Sequence, residues 1–200
     1  MDETSIESKS TTKMFLIALA VLLLLAVVFF ATRKISNAPH YETMAYNGFE
    51  FTKLGPLWYF QWQQGDKLYN VPLRYNPKEV LDVPLVGTYD ERFQQQDIYI
   101  THDPAETGLT YVALGTSELS ISLANVMKAN LIASCSANTT EACWDRPIVT
   151  CDDKDKAVIY IRKSPETKII FAGNCAVIEG DGADLLRAVD KLLYMWYKVI

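Results

Sequence analysis

Residues 14–32 read MFLIALAVLLLLAVVFFAT, 19 positions without a charge, a glycine or a proline. As a helix this run is about 28 Å long, close to the ~30 Å hydrocarbon core of a bilayer. No other stretch approaches it, so the pattern predicts a single membrane span. Aromatic Phe29 and Phe30 precede Ala31, where signal cleavage wants small residues, and Asp2, Glu3 and Glu7 precede the run, where a signal peptide is basic. The span therefore reads as an uncleaved anchor. Lys9 and Lys13 before it balance Arg33 and Lys34 after it, so charge alone does not orient it.

Beyond the anchor, residues 33–47 show no periodicity and read as a juxtamembrane linker. The pattern then changes to alternation. GFEFTKL, LWYFQWQ and KLYNVPLRY are separated by Gly55-Pro56 and Gln64-Gly65-Asp66, which are turn signals. Phe49 and Phe51 share a face, as do Trp58, Phe60 and Trp62, then Tyr69, Val71 and Leu73. Glu50, Thr52, Tyr59, Gln61, Gln63, Asn70 and Arg74 take the opposite face. One dry and one wet face predict an antiparallel meander packed on one side. Trp58 and Trp62 accordingly read as core rather than as a sugar-stacking platform. Pro72 lacks an amide donor, which predicts an edge or a bulge for the third strand.

Asn76-Pro77-Lys78-Glu79 predicts a capped helical turn, residues 83–86 a brief strand, and the polar run 88–97 an exposed loop. A strand at 98–101, a helix opened by Asp103-Pro104-Ala105-Glu106 and running to about Met127, and a strand at 131–134 make a βαβ crossover. Further strands are expected at 148–151, 158–162, 168–172 and 175–178. From about Gly182 an amphipathic helix closes the chain. Leu185, Val189, Leu192 and Trp196, beside Leu186, Leu193 and Tyr197, form its apolar side, and Asp184, Arg187, Asp190, Lys191 and Lys198 its polar side. The fold class predicted is α+β: an N-terminal transmembrane helix, an antiparallel β-meander joined to a mixed sheet with one βαβ crossover, and a C-terminal amphipathic helix. The expected boundaries are 1–13 for a cytoplasmic tail, 14–32 for the anchor, 33–47 for the linker and 48–200 for one extracytoplasmic domain.

Composition bears on this at two points. Beyond Lys34 the chain carries 15 basic and 21 acidic residues, a balance unsuited to nucleic acid or anionic headgroups, which want a basic patch. The four cysteines, Cys135, Cys143, Cys151 and Cys175, contain no C-x-x-C pair, so the tight ligand spacing of structural zinc and of redox motifs is missing. An even number in a tethered domain suits two disulfides in an oxidising compartment. Of three possible pairings the favoured one is Cys135–Cys143 with Cys151–Cys175. Asn138-Thr139-Thr140 is an N-linked glycan acceptor triplet inside the first of these loops. Cysteines and triplet together place the C-terminal domain outside the cell membrane.

His102-Asp103 is the most chemical-looking pair, at the end of a strand entering a helix, where α/β proteins place ligands. Asp103 has a local role as a cap, and no nucleophile elbow, H-E-x-x-H or phosphate-binding glycine loop accompanies it. Asp152-Asp153-Lys154-Asp155 lacks calcium-loop spacing and reads as a solvated turn. No catalytic residue, metal site or cofactor is assigned.

The strings YNGFEF, KLYNVPLRYNPKEV and GNCAVIEG…LLRAVDKLLYMWY resemble an uncharacterised family of small, single-pass archaeal membrane proteins. The resemblance covers most of the external domain, implies an anchored topology and transfers no functional residue. The function expected is a membrane-anchored extracytoplasmic binding or assembly module of the cell envelope. Its partners would be the bilayer, through residues 14–32, and an envelope protein or other component. Two rivals stand beside it: a hydrolase-like enzyme using His102 and Asp103, and a cytoplasm-facing thiol or metal domain.

Overall fold

The computed structural model describes residues 4–36, 41–95 and 97–200. Residues 1–3 of the expected tail, 37–40 of the expected linker (His40 among them) and Gln96 of the expected loop lie outside the described residues. The chain divides into two units, Met1–Tyr41 and Glu42–Ile200.

The first unit is one helix, α1 (Thr4–Ser36). Its stretch Lys13–Ala31 is long and apolar enough to cross a membrane, and its large side chains are uncovered, Leu24 at 65% and Phe30 at 67% exposure. The helix extends beyond the apolar run on both sides. Residues 4–13 of the expected tail are helical, and so are residues 33–36 at the start of the linker, where no periodicity was read. Neither TSIESKSTTK nor RKIS holds a glycine or proline to stop a helix that is already propagating.

In the second unit four antiparallel strands follow in chain order: β1 (Thr43–Tyr46), β2 (Phe49–Leu54), β3 (Leu57–Gln64) and β4 (Lys67–Leu73). The stretch read as linker thus contributes an edge strand. Phe51 pairs with Phe60, Phe60 with Val71, and Trp58 with Leu73. That register stacks the apolar alternates into one dry face on which all five are buried. Strand β4 lies at the opposite edge, which accommodates Pro72.

A 3₁₀ turn (Pro77–Val80) follows, with the full capping box: the Asn76 side chain accepts from the Lys78 and Glu79 amides, and Glu79 accepts from the Asn76 amide. The second sheet has six strands in the order β5-β9-β10-β8-β6-β7. These are β5 (Leu85–Val86), β6 (Ile98–Thr101), β7 (Leu131–Ala133), β8 (Ala157–Lys163), β9 (Lys168–Ala172) and β10 (Cys175–Gly180). Only the β9–β10 hairpin is antiparallel. Between β6 and β7 runs α3 (Thr110–Ser120), prolonged by a π-helical turn (Ile121–Val126), and this forms the parallel crossover.

The last helix, α4 (Ala183–Trp196), lies between the sheets. Tyr194 meets the rings of Phe51 and Phe60, both at 5.9 Å, and Tyr197 meets Phe60 at 5.4 Å and Trp62 at 5.3 Å. Its other side packs on α3, β9 and β10. Gly115 on α3 permits this approach, since a Cβ there would sit 3.0 Å from Val189 Cγ2. The far face of the six-stranded sheet carries a second small core, Val149, Val158 and Cys175, covered by the segment that leads from β7 to β8.

Four local expectations are corrected. The helix does not begin at Asp103. Gly108 adopts φ +76°, outside the helical range, and Glu106 is drawn away to accept the Lys163 amide, so α3 starts at Thr110. Residues 148–151 form no strand, only one parallel bridge from Ile148 to Cys135, because Cys151 and the residues after it turn sharply. The run 88–97 is not simply an exposed loop: a short helix, α2 (Arg92–Gln95), buries Phe93 against Phe171 and Trp196. Asp190, read as part of the polar side of α4, is fully buried.

Candidate functional site

Strands β6 and β7 are parallel neighbours whose outgoing connections cross opposite faces of the sheet. After β6 the chain rises over the helical face as α3; after β7 it crosses the other face as the disulfide-bearing segment. Divergent connections open a crevice beyond the strand ends, the place where open α/β sheets bind ligands. Here it is a cavity of about 290 Å³, with Ile100, Leu109 and Val112 as apolar wall and His102, Ser134 and Arg146 as polar lining. His102 is half-buried; burial and the Arg146 charge lower its pKa, against an opposing pull from Asp103, so the ring is neutral at pH 7. Among the described residues the ring makes no hydrogen bond. Ser134 Oγ donates instead to the Ile132 carbonyl at 3.2 Å, and Asp103 Oδ1 accepts from the Ala105 amide at 2.9 Å. His102 and Asp103 are therefore adjacent without forming a dyad, and among the described residues no hydroxyl is aligned with the imidazole for activation.

A larger cavity, of about 490 Å³, opens at the other end of β6. Trp62 of β3, Tyr89 and Phe93 around α2, Met127 after the π-helical turn and Trp196 of α4 wall it. Lys128 and Lys198 both line it as well. The rings are mutually packed: Tyr89 lies 5.5 Å from Phe93 and 6.0 Å from Trp196. Burial pushes the Tyr89 phenol up to about 12, so it is an un-ionised hydroxyl at any physiological pH. Trp62 uses its own N–H on the Tyr197 carbonyl at 3.2 Å.

Set against protein-family models, curated proteins and solved structures, the chain matches none. Its sites are therefore argued from their own chemistry.

A third polar feature is buried where β4 ends. Asp190 Oδ2 accepts the amides of Arg74 at 2.9 Å and Tyr75 at 2.8 Å, and the Tyr194 hydroxyl donates to the Tyr75 carbonyl at 2.7 Å. Arg74 Nε stands 2.5 Å from Glu118 Oε1 on α3, close for charge but without the alignment of a hydrogen bond. Asp190 Oδ1 and Glu118 Oε2 are buried without a hydrogen-bond partner among the described residues. Desolvation raises both acids, Glu118 to about 7 and Asp190 well above the usual carboxylate range, and the Glu118 charge raises Asp190 further. The site was missed because aspartate reads as surface. A signal existed: Asp190 stands four residues after Leu186 and three before Leu193, on the apolar line of the helix.

The cysteines are joined as Cys135–Cys143 and Cys151–Cys175, with none free. Asn138 is exposed in the first loop, and the Thr140 hydroxyl contacts Cys143 Sγ at 3.7 Å. In the acidic turn, Asp153 accepts the Thr150 amide and the Lys156 ammonium, so its oxygens are committed to the turn itself. Among the described residues no group of three or more His, Cys, Asp or Glu side chains is arranged to hold a metal ion.

Proposed function

We propose that the chain is a membrane-anchored binding or assembly module whose domain, Glu42–Ile200, lies outside the cytoplasm and engages another component of the cell envelope. One observation carries this reading: every cysteine of the domain is in a disulfide, and the domain follows a helix apolar enough to cross a bilayer. Two disulfides with no thiol left over suit an oxidising compartment and are disfavoured in a reducing cytoplasm. The exposed Asn138 triplet supports the same orientation, because a glycan acceptor requires a reachable loop. The two cavities support binding. The resemblance to small single-pass archaeal membrane proteins is in keeping with the tether.

The test is a thiol count. The membrane-embedded chain is alkylated under denaturing, non-reducing conditions and its bridged peptides are mapped. Zero labelled thiols with the two bridges above is the expected result. Four labelled thiols in freshly quenched cells would place the domain in the cytoplasm and end the proposal.

A further inference from the structure

We infer that the cavity bounded by Trp62, Tyr89, Phe93 and Trp196 takes a small aromatic anion, with Lys198 receiving its negative group. This deepens the binding-module reading and rests on it for the existence of a ligand. Three observations lead to it. The first is the cavity itself, about 490 Å³ with aromatic walls, the size and surface that bury a single ring system. The second is Trp196, which is only 9% exposed and keeps its Nε1 buried with no acceptor in hydrogen-bonding geometry among the described residues, the Tyr89 hydroxyl lying nearby. A buried indole N–H without an acceptor calls for one, and a small shift of the ring would offer it to a ligand oxygen in the cavity.

The third is the backbone. Among the described residues only Asn47, Lys128 and Lys198 are non-glycines with positive φ, at 46°, 62° and 57°. Asn47 precedes Gly48 in a hairpin turn, where that conformation is ordinary. The lysines each follow a helix end. Lys198 occupies the left-handed position after α4, with the Val199 amide bonded back to the Tyr194 carbonyl at 2.9 Å, and Lys128 does the same after the π-helical turn, with Ala129 bonded to Leu123 at 2.9 Å. Glycine is the residue that fits this position without strain. Both exceptions are cations, and both line the same cavity of a domain with excess acid. Lys128 has local work: its Nζ caps the Asn125 carbonyl at 2.5 Å and lies 5.5 Å above the Tyr69 ring. Lys198 has none, since among the described residues nothing bonds to or pairs with its ammonium. A strained backbone holding an unpaired charge at a cavity is the pattern of a binding residue.

The experiment measures calorimetric binding of indole-3-acetate and of its neutral counterpart tryptophol to the full chain in zwitterionic nanodiscs, with empty nanodiscs as blank. Indole-3-acetate is expected to bind roughly fivefold more tightly, the upper end for an ion pair at the edge of water. Lys198→Gly is expected to bring that ratio to about one while Tm holds or rises by roughly 2 °C, as relief of the left-handed strain requires. Lys198→Gln should give the same loss of preference without the change in backbone freedom. Lys163→Gln, which breaks a pair with Asp181 at the far end of β8, should leave the ratio alone. Equal affinities in the native chain, no binding of either compound at millimolar concentration, or a preference that survives both Lys198 variants would overturn the assignment. The thiol count is blind to all of these outcomes, so a failure here and a failure of the topology are separately visible.

Discussion

Glu118→Gln should make the protein more stable at pH 8 than the native chain while leaving the two nearly equal at pH 4.5. Glu118 is largely buried beside Arg74, with 12% of its side chain exposed, and its carboxyl is pushed up from 4.5 to about 7 because loss of water outweighs the attraction of the guanidinium. A carboxyl whose folded pKa lies above its unfolded one keeps its proton longer in the native state. Between the two values the native chain binds more protons than the unfolded chain, so stability falls as pH rises from about 4.5 to about 7 and is flat beyond. A displacement of that size corresponds to about 3 kcal/mol. Glutamine has the shape of the protonated acid and cannot ionise, so the difference between the variants should grow from near zero to about 3 kcal/mol across that window. Asp190 titrates in both proteins and largely cancels. Residual coupling adds to the effect with the same sign, because removing the Glu118 charge eases ionisation of Asp190. Urea unfolding of the full chain in detergent at four pH values, followed by tryptophan fluorescence, measures it. A difference that stays constant with pH refutes the reasoning. A variant that loses ground as pH rises would mean that the Arg74 pair outweighs the burial.

Asp190→Ala strips the acceptor from two part-buried amides and is expected to cost about 2–4 kcal/mol in the same assay, with Asp190→Asn costing clearly less because one oxygen remains. Gly180→Ala should be among the most damaging small substitutions. Its Cβ would stand 2.7 Å from the Leu185 backbone, which cannot step aside, and a loss of about 1–3 kcal/mol is expected. Replacing Cys151 and Cys175 by Ser opens a loop with a sequence separation of 24, against 8 for Cys135 and Cys143. Loop-closure entropy then predicts losses of about 3.5 and about 2.6 kcal/mol, and equal or reversed losses would show that native-state contacts dominate.

What the sequence disclosed follows the physics of each element. Alternation over residues 48–75 specified the meander, because a one-residue slip would turn Phe51, Phe60 and Val71 into water. The crossover and the closing helix were legible from period alone. The start of α3 was not: Asp103-Pro104 has the composition of a helix opening, and only Gly108, four residues further, breaks it. The inward turn of residues 88–97 was hidden by composition, because eight polar residues surround Tyr89 and Phe93 and a single pair spaced by four is a faint helical signal. The cavities were illegible for a different reason. Trp62, Phe93, Met127 and Trp196 are distant in sequence and meet only when the two sheets close on α4, so no local pattern records them.

The placement of Asp190 shows why a charge-bearing residue stands inside a helix that could have been wholly apolar. Strand β4 ends at Leu73, its last partner across the sheet being Trp58, and the chain turns at once into the capped 3₁₀ turn at Asn76. Arg74 and Tyr75 therefore present amides that have left the ladder and not yet entered the turn, at a point covered by α4. Backbone donors in that position need an acceptor from somewhere. A leucine at 190 would fill the volume and leave both donors bare, a loss larger than the gain from one more buried side chain. A carboxyl meets the need with Oδ2 alone, and it does so equally well when protonated, which its raised pKa favours. The unpartnered Oδ1 is then the natural seat of that proton. The buried acid is in this sense required by the break between strand and turn, and it ties the end of the meander to the helix that the mixed sheet packs against.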